Sequence, residues 1–370
     1  MNKKVLVCVG TRPNFIKITQ LEKHFKNYPN VDYFLLHTGQ HHDNAMNEVF
    51  FNQLQIKKPD FQFVLEPGSQ ISVITQIMNN MEKICTELQP NLVVVPGDVN
   101  SSLACALVAN RLGIPVAHIE SGLRSFDMSM PEEVNRILID KISDLYFITE
   151  DSGMENLIKE GHQPASMHFV GNSMIDTLIE SSTMIDQSAI LNQLQVSEKK
   201  YILFTFHRPV NVDNKEHLSK LLALIEELSA TYTCIFPVHP RTKNNIAKWA
   251  VGENFNTNKN ILLCDPLGYF DFLKLIKHAS IVITDSGGIQ EETTFLQVPC
   301  LTIRPNTERP VTITEGTNQL LDLDVNLIIQ KVAEIESNPK TTTKSPKYWD
   351  GKTSERIVEA IARYLSGINN

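Results

Sequence analysis

Residues 280–292 read Ser-Ile-Val-Ile-Thr-Asp-Ser-Gly-Gly-Ile-Gln-Glu-Glu. A short apolar run typical of a buried strand ends at Ser286-Gly287-Gly288, and a helical pattern begins directly after this turn. Glycines let the backbone come close to a ligand, and the unpaired N–H groups at a helix start can hold a phosphate. The stretch therefore predicts a strand, a turn and a helix with an anion site at the turn; a flexible turn without a ligand is the alternative.

Short β-branched runs alternate with longer helical patterns along the rest of the chain, which predicts βαβ units and parallel sheets. The predicted strands are residues 3–9, 32–38, 91–96, 115–119, 145–149, 167–170, 201–206, 234–238, 260–264, 280–284 and 299–303. A helix is predicted over 69–89, with one buried face formed by Ile71, Ile74, Met78, Met81, Cys85 and Leu88.

The length of 370 residues fits two domains of ordinary size. The periodic pattern is weakest over 175–200, where polar residues precede a new strand. We expect an α/β protein with two doubly wound, Rossmann-like domains that face a central cleft, the first over 1–170 and the second over 171–351. The last predicted helix, 352–370, is expected to pack back on the first domain.

The composition excludes several classes of protein. Acidic residues (42) outnumber basic ones (34), and the net charge of -8 argues against a nucleic-acid partner or an anionic membrane surface. No apolar run reaches the length of a membrane helix, and Lys3-Lys4 leads into a strand rather than a signal peptide. A cytoplasmic protein that binds no membrane is therefore expected.

The cysteines and histidines do not predict a metal site. The six cysteines stand singly in apolar segments and never as C-x-x-C, which predicts reduced core residues rather than disulfides or a zinc site. The run Gln40-His41-His42-Asp43 has no further ligand spaced to complete a metal shell. We predict no metal.

Arginines are concentrated after the predicted strands. Seven of the ten follow a strand closely: Arg12, Arg124, Arg136, Arg208, Arg241, Arg304 and Arg309. Planar, permanently charged donors gathered at one end of the sheets predict binding of a phosphate or carboxylate, with surface ion pairs as the alternative. Gly10-Thr11-Arg12-Pro13, followed by Lys17, fits such a site beyond the first strand.

Acidic residues end first-domain strands or lie in the loops beyond them: Asp98, Glu120 and the pair Glu132-Glu133. Carboxylates gathered in a cleft can have their pKa values pushed apart, so that one site supplies both an acid and a base. The alternatives are a helix cap for Asp98 and a favourable first-turn charge for Glu132 or Glu133.

Two features of the second half suit a nucleotide. Glu292, one turn into the helix after the glycine turn, can accept two hydrogen bonds from vicinal ribose hydroxyls, unless it is a plain helix-face carboxylate. His207-Arg208 ends a strand and suits a substrate with phosphates, whereas for His239 a structural role is favoured.

Taken together, these residues resemble the non-hydrolysing UDP-N-acetylglucosamine 2-epimerase family over nearly the whole chain. The matching motifs, in order, are Gly10-Thr11-Arg12-Pro13 with Ile16-Lys17, Gly39-Gln40-His41, Gly97-Asp98, Ile119-Glu120-Ser121-Gly122-Leu123-Arg124, Pro131-Glu132-Glu133-Val134-Asn135-Arg136, His207-Arg208, Pro237-Val238-His239-Pro240, Thr284 to Glu292 and Glu308-Arg309-Pro310. The resemblance implies a fold similar to the GT-B glycosyltransferases, a homodimer and no cofactor.

The reaction that the resemblance implies inverts the sugar carbon that bears the acetamido group. Anti elimination removes the proton at that carbon and expels UDP, which leaves a 2-acetamidoglucal; UDP then adds back after reprotonation on the other face. Acid and base carboxylates and a firm hold on UDP meet this requirement.

The resemblance also implies roles for individual residues. Asp98, Glu120 and Glu132 carry proton transfer and sugar positioning, with acid and base unassigned among them. His207 and Arg12, with Lys17 close by, neutralise the departing diphosphate. The remaining substrate-binding residues are Ser286, Gly287 and Gly288 for phosphates, Glu292 for ribose, Arg309 and Arg136, and Phe272 and Leu267 for uracil.

The chain departs from the family in three motifs. Where many bacterial members read E-A-G, this chain has Glu120-Ser121-Gly122, and where they read H-R-R it has His207-Arg208-Pro209. Gly97-Asp98-Val99 replaces the more usual G-D-T. Pro209 replaces an arginine that helps bind a regulatory UDP-sugar in many bacterial members. The substrate therefore stays open between UDP-N-acetylglucosamine and another UDP-2-acetamido sugar, such as a diacetamido uronate. A UDP-sugar glycosyltransferase, a hydrolysing epimerase and a non-catalytic sensor are the competing functions.

Overall fold

The computed structural model describes residues 2–40, 53–54, 56–252, 255, 257–338 and 345–367. His41, His42 and Asp43 of the histidine run lie outside these residues. The chain divides into two compact units, the first formed by Met1–Glu180 with Lys347–Asn370 and the second by Ser181–Pro346.

The first unit is built on a seven-stranded sheet in the described residues, with all pairs parallel and the order β3-β2-β1-β4-β5-β6-β7. The strands are β1 (Lys3–Val9), β2 (Val31–His37), β3 (Phe61–Gln62), β4 (Leu92–Pro96), β5 (Val116–Ile119), β6 (Leu145–Ile148) and β7 (Met167–Phe169). The helices are α1 (Arg12–Ile18), α2 (Leu21–Phe25), α3 (Gln70–Leu88), α4 (Asn100–Arg111), α5 (Pro131–Ile142), α6 (Asp151–Lys159) and α7 (Ser173–Glu180).

The second unit is built on a six-stranded parallel sheet in the described residues, with the order β10-β9-β8-β11-β12-β13. The strands are β8 (Tyr201–Thr205), β9 (Thr233–Pro237), β10 (Ile261–Cys264), β11 (Ile281–Thr284), β12 (Cys300–Ile303) and β13 (Asn318–Leu321). The helices are α8 (Ser182–Gln187), α9 (Ile190–Gln193), α10 (Pro209–Val212), α11 (Lys215–Leu228), α12 (Pro240–Trp249), α13 (Tyr269–His278), α14 (Gly287–Leu296), α15 (Val311–Thr314) and α16 (Val325–Ser337).

The central strands consist almost entirely of apolar residues because helices cover parallel sheets on both faces. Every residue of β4 is buried, as is every residue of β11. Each strand predicted from the sequence is present, with ends that differ by at most one residue. The α/β class is therefore confirmed in both units.

The last helix, α17 (Thr353–Ser366), belongs to the first unit. The Asp176 carboxylate of α7 accepts hydrogen bonds from the first N–H groups of α17, at 3.1 Å from Thr353 and 2.6 Å from Ser354. Thr177 of the same helix donates to the Ile16 carbonyl at 2.6 Å. Residues 171–180 and 347–351, which we expected in the second domain, are therefore part of the first unit, because α7 packs on α1 and α17.

Helix α3 matches the predicted 69–89 but buries a narrower face. Ile77, Met81 and Cys85 are buried, four residues apart, whereas Ile71 is 72% exposed. Ile71 lies in the first turn, before the part of α3 that packs on the sheet core, so its place in the buried face was wrong.

Strand order reverses once in each sheet. In the first unit the chain runs outward from β1 to β2 and, separately, from β4 to β7, so the reversal lies between β1 and β4. In the second unit it lies between β8 and β11. Loops after the two strands that flank such a reversal diverge and leave a crevice, where ligands of doubly wound sheets bind.

Candidate active site

The first-unit candidates lie at the reversal between β1 and β4 and at the neighbouring β5. Arg12 begins α1 directly after β1, Asp98 follows β4, and Glu120 follows β5. The backbone also joins these ends: the Gly97 N–H donates to the Ile119 carbonyl at 2.9 Å. The sheet thus brings together three residues that are far apart in sequence.

Lys17 and Glu120 form a buried ion pair. Lys17 Nζ lies 2.6 Å from Glu120 Oε2, and each residue is about 5% exposed. Glu120 has a left-handed backbone, with φ of 73°, and its N–H donates to the Phe147 carbonyl at 3.0 Å. Such a backbone is strained for a residue other than glycine, which is typical of side chains held in one orientation at a functional site.

Gly97 leaves the space that this pair needs. A Cβ atom on Gly97 would lie 2.8 Å from Lys17 Nζ and 3.5 Å from Glu120 Oε2, and φ at Gly97 is 63°. Glycine is therefore required here both for the close approach and for the left-handed turn.

Asp98 is linked to a buried glutamate through Arg136. One guanidinium nitrogen of Arg136 pairs with the Asp98 carboxylate, and Nη1 lies 2.5 Å from Glu133 Oε2. Glu133 also accepts the N–H groups of Ser125 and Phe126, each at 2.9 Å. The sequence offered Glu132 and Glu133 together, and the resemblance assigned a role to Glu132; Glu133 is the buried member of the pair.

Glu132 and Arg12 are more open. Glu132 is exposed in the first turn of α5, and within the described residues it has no hydrogen-bond or ion-pair partner. Arg12 is half-buried and, in the same part of the chain, has no carboxylate partner. Asp98 directly follows Gly97, which lies against the Lys17–Glu120 pair, whereas Glu132 has no hydrogen bond or ion pair with these side chains in the described residues.

In the second unit, His207 is fixed by Asp285. Asp285 is fully buried after β11, and its Oδ1 lies 3.0 Å from His207 Nδ1. The N–H groups of His207 and Arg208 donate to the same carboxylate at 3.1 and 3.0 Å, and Asn211 Nδ2 donates at 2.9 Å. Burial disfavours the charged carboxyl, but these partners outweigh it and hold the pKa of Asp285 below its usual range.

This arrangement leaves Nε2 of His207 on the open side of the ring. The His207 side chain is 51% exposed, so a ligand can reach it. The sequence singled out His207 but not Asp285, although Asp285 directly precedes the glycine turn.

The glycine turn begins α14, as the sequence predicts. The first N–H groups of this ten-residue helix have no partner within the helix, and they follow Ser286. A Cβ atom on Gly287 would lie 2.7 Å from both Arg309 Nη1 and Glu308 Oε1. Arg309 therefore lies directly against the turn, where a guanidinium and a helix N-terminus both favour an anion.

Arg309 is held in a buried ionic network. Its Nε lies 2.9 Å from Glu291 Oε2, its Nη1 pairs with Glu308, and Arg304 Nη2 lies 2.7 Å from the other Glu308 oxygen. All four side chains are at least nine-tenths buried. Glu291 and Glu308 thus orient the guanidinium, a role that the sequence did not reveal.

Glu292 carries a shifted pKa. Burial, with a smaller contribution from the Glu291 charge, raises the pKa of Glu292 to about 8. Tyr269, at the start of α13, has its pKa raised by burial and by Glu292. A ligand that donates hydrogen bonds to the Glu292 carboxylate would therefore stabilise its charged form, which burial disfavours.

The two uracil candidates lie around the start of α13. Leu267 is half-buried in the loop between β10 and α13, and Phe272 is half-buried in the first turn of α13.

Several strand-end arginines pair with carboxylates in the part of the chain that the structure describes. These are Arg124, Arg136, Arg241, Arg304 and Arg309. The alternative raised by the sequence was surface ion pairs, which fits the exposed Arg241, whereas the other four arginines are buried in their pairs. The pattern of arginines alone therefore does not establish an anion site.

The described residues offer neither a metal cluster nor a membrane-spanning helix. They contain no group of three or more His, Cys, Asp or Glu residues that could hold a metal ion. None of their helices is long and apolar enough to cross a membrane.

Comparison with known proteins identifies relatives over nearly the whole chain. The sequence model of the family described as UDP-N-acetylglucosamine 2-epimerase matches residues 23–362. The UDP-N-acetylglucosamine 2-epimerase of Methanocaldococcus jannaschii is 38% identical over 364 residues, which cover 97% of this chain and 98% of that protein. The UDP-2,3-diacetamido-2,3-dideoxy-D-glucuronate 2-epimerase of Pseudomonas aeruginosa is 34% identical, with coverage of 97% and 99%.

Solved structures agree with these relatives. The M. jannaschii enzyme in complex with UDP-GlcNAc and UDP matches with a TM-score of 0.89 and 37% identity, covering 97% of this chain and 99% of that chain. The Neisseria meningitidis UDP-GlcNAc 2-epimerase bound to UDP-GlcNAc matches with a TM-score of 0.89 and 28% identity, covering 97% and 100%. These matches also confirm the predicted GT-B-like class of fold. The chain belongs to the UDP-N-acetylglucosamine 2-epimerase family, whose members are isomerases that act on sugars.

Proposed function

We propose that this enzyme interconverts UDP-N-acetylglucosamine and UDP-N-acetylmannosamine by elimination and re-addition of UDP. The observation that carries the proposal is the pair of sites at the strand reversals. One has the Lys17–Glu120 pair beside Asp98, and the other has His207 beside the N-terminus of α14. Family membership supplies the reaction type to which these two kinds of site correspond.

In the proposed reaction, carboxylates transfer the proton and cations stabilise the departing UDP. A base among Asp98, Glu120 and Glu132 takes the proton from the acetamido-bearing carbon, and the bond between the anomeric carbon and the UDP oxygen breaks. The bonding electrons leave with UDP, and the C–H electrons form the double bond of the 2-acetamidoglucal. Reprotonation on the opposite face, followed by attack of UDP on the anomeric carbon, gives the epimer.

In the proposed complex, UDP is bound by cations, helix N–H groups and one carboxylate. Arg12, His207 and Arg309 offset the charge that develops on the diphosphate, and the N–H groups at Ser286, Gly287 and Gly288 bind its oxygens. Glu292 accepts the ribose hydroxyls, and Phe272 and Leu267 contact uracil. Arg136 acts on the sugar side through its pair with Asp98.

Asp285 contributes by fixing His207 in one orientation. Because Nδ1 is engaged by the buried carboxylate, Nε2 is the nitrogen left to meet the departing oxygen. Buried carboxylates orient catalytic imidazoles in the same way in other enzymes.

A second candidate substrate is a UDP-2,3-diacetamido uronate, the sugar named for the P. aeruginosa relative. That relative is 34% identical to this chain with 97% of the chain covered, beside 38% for the M. jannaschii UDP-N-acetylglucosamine 2-epimerase. Comparing turnover of the two UDP-sugars by the same enzyme decides between them.

The family resemblance further supports a homodimer and a supply of precursors for cell-surface polysaccharide. All six cysteines are free in the structure, which fits the reducing cytoplasm. Light scattering of the purified protein tests the dimer.

The proposed activity is tested by incubating the enzyme with UDP-N-acetylglucosamine and separating the products by anion-exchange chromatography. We expect UDP-N-acetylmannosamine to form and approach a constant ratio with the starting sugar. Glu120→Gln is expected to lose this activity, while Glu155→Gln, an exposed carboxylate on α6, keeps it. Release of free UDP and sugar would indicate the hydrolysing reaction, and no change of the sugar would contradict the proposal.

A further inference from the structure

His118, near the end of β5, is fully buried between two acceptors. Its Nδ1 lies 2.7 Å from Asp140 Oδ1, and its Nε2 lies 3.0 Å from the Gly97 carbonyl oxygen. Asp140, on α5, is also fully buried. Neither side chain takes part in the proton transfer or the UDP binding proposed above.

The second oxygen of Asp140 is occupied as well. It accepts the Gly122 N–H at 3.0 Å and lies 2.7 Å from Arg124 Nη1. Burial disfavours the charged form of Asp140, but His118 and Arg124 outweigh burial and lower the pKa of this carboxyl. A carbonyl and an ionised carboxylate can only accept hydrogen bonds, so His118 satisfies both when each ring nitrogen carries a proton.

These contacts join two turns that carry different functional residues. Through Gly97 O, His118 holds the turn that leads into Asp98. Through Gly122 N, Asp140 holds the turn that begins at Glu120, where φ is 73°. A left-handed residue other than glycine persists only where its surroundings fix it.

We propose that His118 is a positioning residue that, with Asp140, fixes the turns of Asp98 and Glu120 relative to each other. The inference rests on the proposed function, in which these two carboxylates act on the same sugar. His118 itself touches neither substrate nor reacting atoms. Its hydrogen bond to Gly97 O adds a side-chain contact to the backbone hydrogen bond from Gly97 N–H to Ile119 O, and together they link β5 to the turn of Asp98.

Two substitutions of His118 separate its two contacts. The Gln amide nitrogen reaches the place of Nε2, so His118→Gln keeps a donor for Gly97 O and gives up the contact with Asp140. The shorter Asn amide reaches the place of Nδ1, so His118→Asn keeps a donor for Asp140 and gives up Gly97 O. Each variant loses one hydrogen bond and keeps the other, which makes each the control for the other. Asn is one methylene smaller than Gln, so His118→Asn also leaves the larger cavity, and thermal unfolding records that additional loss of stability.

The measurement is kcat, KM and UDP affinity for both variants, with thermal unfolding as the record of stability. We expect kcat of His118→Asn to fall on the order of tenfold or more below that of His118→Gln, since small misplacements of reacting groups carry such losses. KM and UDP affinity are expected to stay close to those of the unsubstituted enzyme. Equal losses of kcat that follow the loss of thermal stability would overturn the inference.

Asp140→Asn keeps the test valid if neither histidine variant folds. The new amide can donate to Nδ1 of a neutral His118, whose Nε2–H still meets Gly97 O, while the amide oxygen still accepts from Gly122. We expect this variant to keep kcat within about threefold of the unsubstituted enzyme, and a loss comparable to that of Glu120→Gln would overturn the positioning role. Absence of epimerisation by the unsubstituted protein would instead remove the proposed function, and the inference with it.

Discussion

Lys17 Nζ lies 2.6 Å from Glu120 Oε2, and the space beside this pair is open because residue 97 is glycine. The pair is buried, so the surrounding packing holds both side chains in one geometry. Solvent-exposed side chains, in contrast, change rotamer freely. Removal of one partner would leave an uncompensated charge in the interior, at a cost of about 3–5 kcal/mol. Perturbing the pair from the neighbouring backbone is therefore more informative than deleting either member.

Gly97→Ala is expected to abolish most of the turnover while leaving the protein folded. The new Cβ atom would lie 2.8 Å from Lys17 Nζ, so the ammonium must move away from Glu120. The left-handed φ adds a strain of about 1 kcal/mol. Steady-state kinetics and thermal unfolding measure the two effects separately.

The matched control is Gly113→Ala. Gly113 has nearly the same φ, 69°, but nothing lies within 4 Å of the position of its Cβ atom. Both variants are expected to lose the stability that a left-handed φ costs alanine, and Gly97→Ala is expected to lose more because it also disturbs the buried ion pair. Only Gly97→Ala is expected to lose activity. Equal activity in the two variants would show that the Lys17–Glu120 geometry does not matter for turnover.

Asp285→Asn is expected to lower kcat on the order of tenfold or more, because His207 loses the charged partner that fixes its ring. The amide also places N–H groups opposite backbone donors, which costs about 1–3 kcal/mol of stability. Steady-state kinetics of the variant measure the loss of kcat, and thermal unfolding measures the loss of stability. Asp213→Asn, which alters an exposed pair with Arg241, serves as the control; equal kcat values for the two variants would contradict the role of Asp285.

Affinity for a UDP-sugar is expected to rise with pH up to about 8. Glu292 has its pKa raised to about 8 by burial and by Glu291, so it is mostly neutral at pH 7 in the free protein. Ribose hydroxyls donate to the ionised form, so binding favours loss of the proton, and affinity grows as the carboxyl ionises. Calorimetry with UDP-N-acetylglucosamine in the Glu120→Gln background measures this without turnover.

Glu292→Gln is the control for this pH dependence, because it removes the titrating group. The raised pKa of Glu292 also affects the stability of the folded protein. It contributes stability at low pH, and this contribution is lost as the pH rises through about 8. Relative to the unsubstituted protein, Glu292→Gln should therefore gain thermal stability between pH 4 and pH 8. An affinity that does not change with pH, or identical pH dependence in Glu292→Gln, would exclude Glu292 from the ribose site.

Gly287→Ala is expected to weaken UDP binding on the order of tenfold, because its Cβ atom would displace the guanidinium of Arg309 from the helix N-terminus. Arg309→Ala is expected to weaken UDP binding too, but it also leaves Glu291 and Glu308 buried without this partner. Calorimetry with UDP, together with thermal unfolding, separates the two causes. Unchanged UDP affinity in Gly287→Ala would place Arg309 outside the nucleotide site.

Much of the fold was predictable from the sequence because buried parallel strands are continuous apolar runs. Two strands in the described part of the chain were not predicted, and both lack that signal. β3 is only two residues long, and β13 reads Asn-Gln-Leu-Leu, without a β-branched residue. Both are edge strands that form through pairing with a neighbour, β2 and β12 respectively, rather than through local preference.

The candidate site was predictable residue by residue but not in its pairings. His207 and the glycine turn were each found as strand-end features, whereas Asp285 was missed because its partner lies 78 residues away. The contact exists because β8 and β11 are neighbours in the sheet, and local sequence patterns do not specify which strands become neighbours. The same reason hides the link from His118 on β5 to Gly97 after β4.

The central claim, elimination and re-addition of UDP at the acetamido-bearing carbon, is tested most directly by proton NMR in deuterated water. The enzyme is incubated with UDP-N-acetylglucosamine, and the anomeric signals and the hydrogen on carbon 2 are followed. We predict that UDP-N-acetylmannosamine appears with deuterium at carbon 2, and that deuterium also enters the recovered starting sugar. A UDP-N-acetylmannosamine product that retains the original hydrogen at carbon 2 would contradict the proposed mechanism.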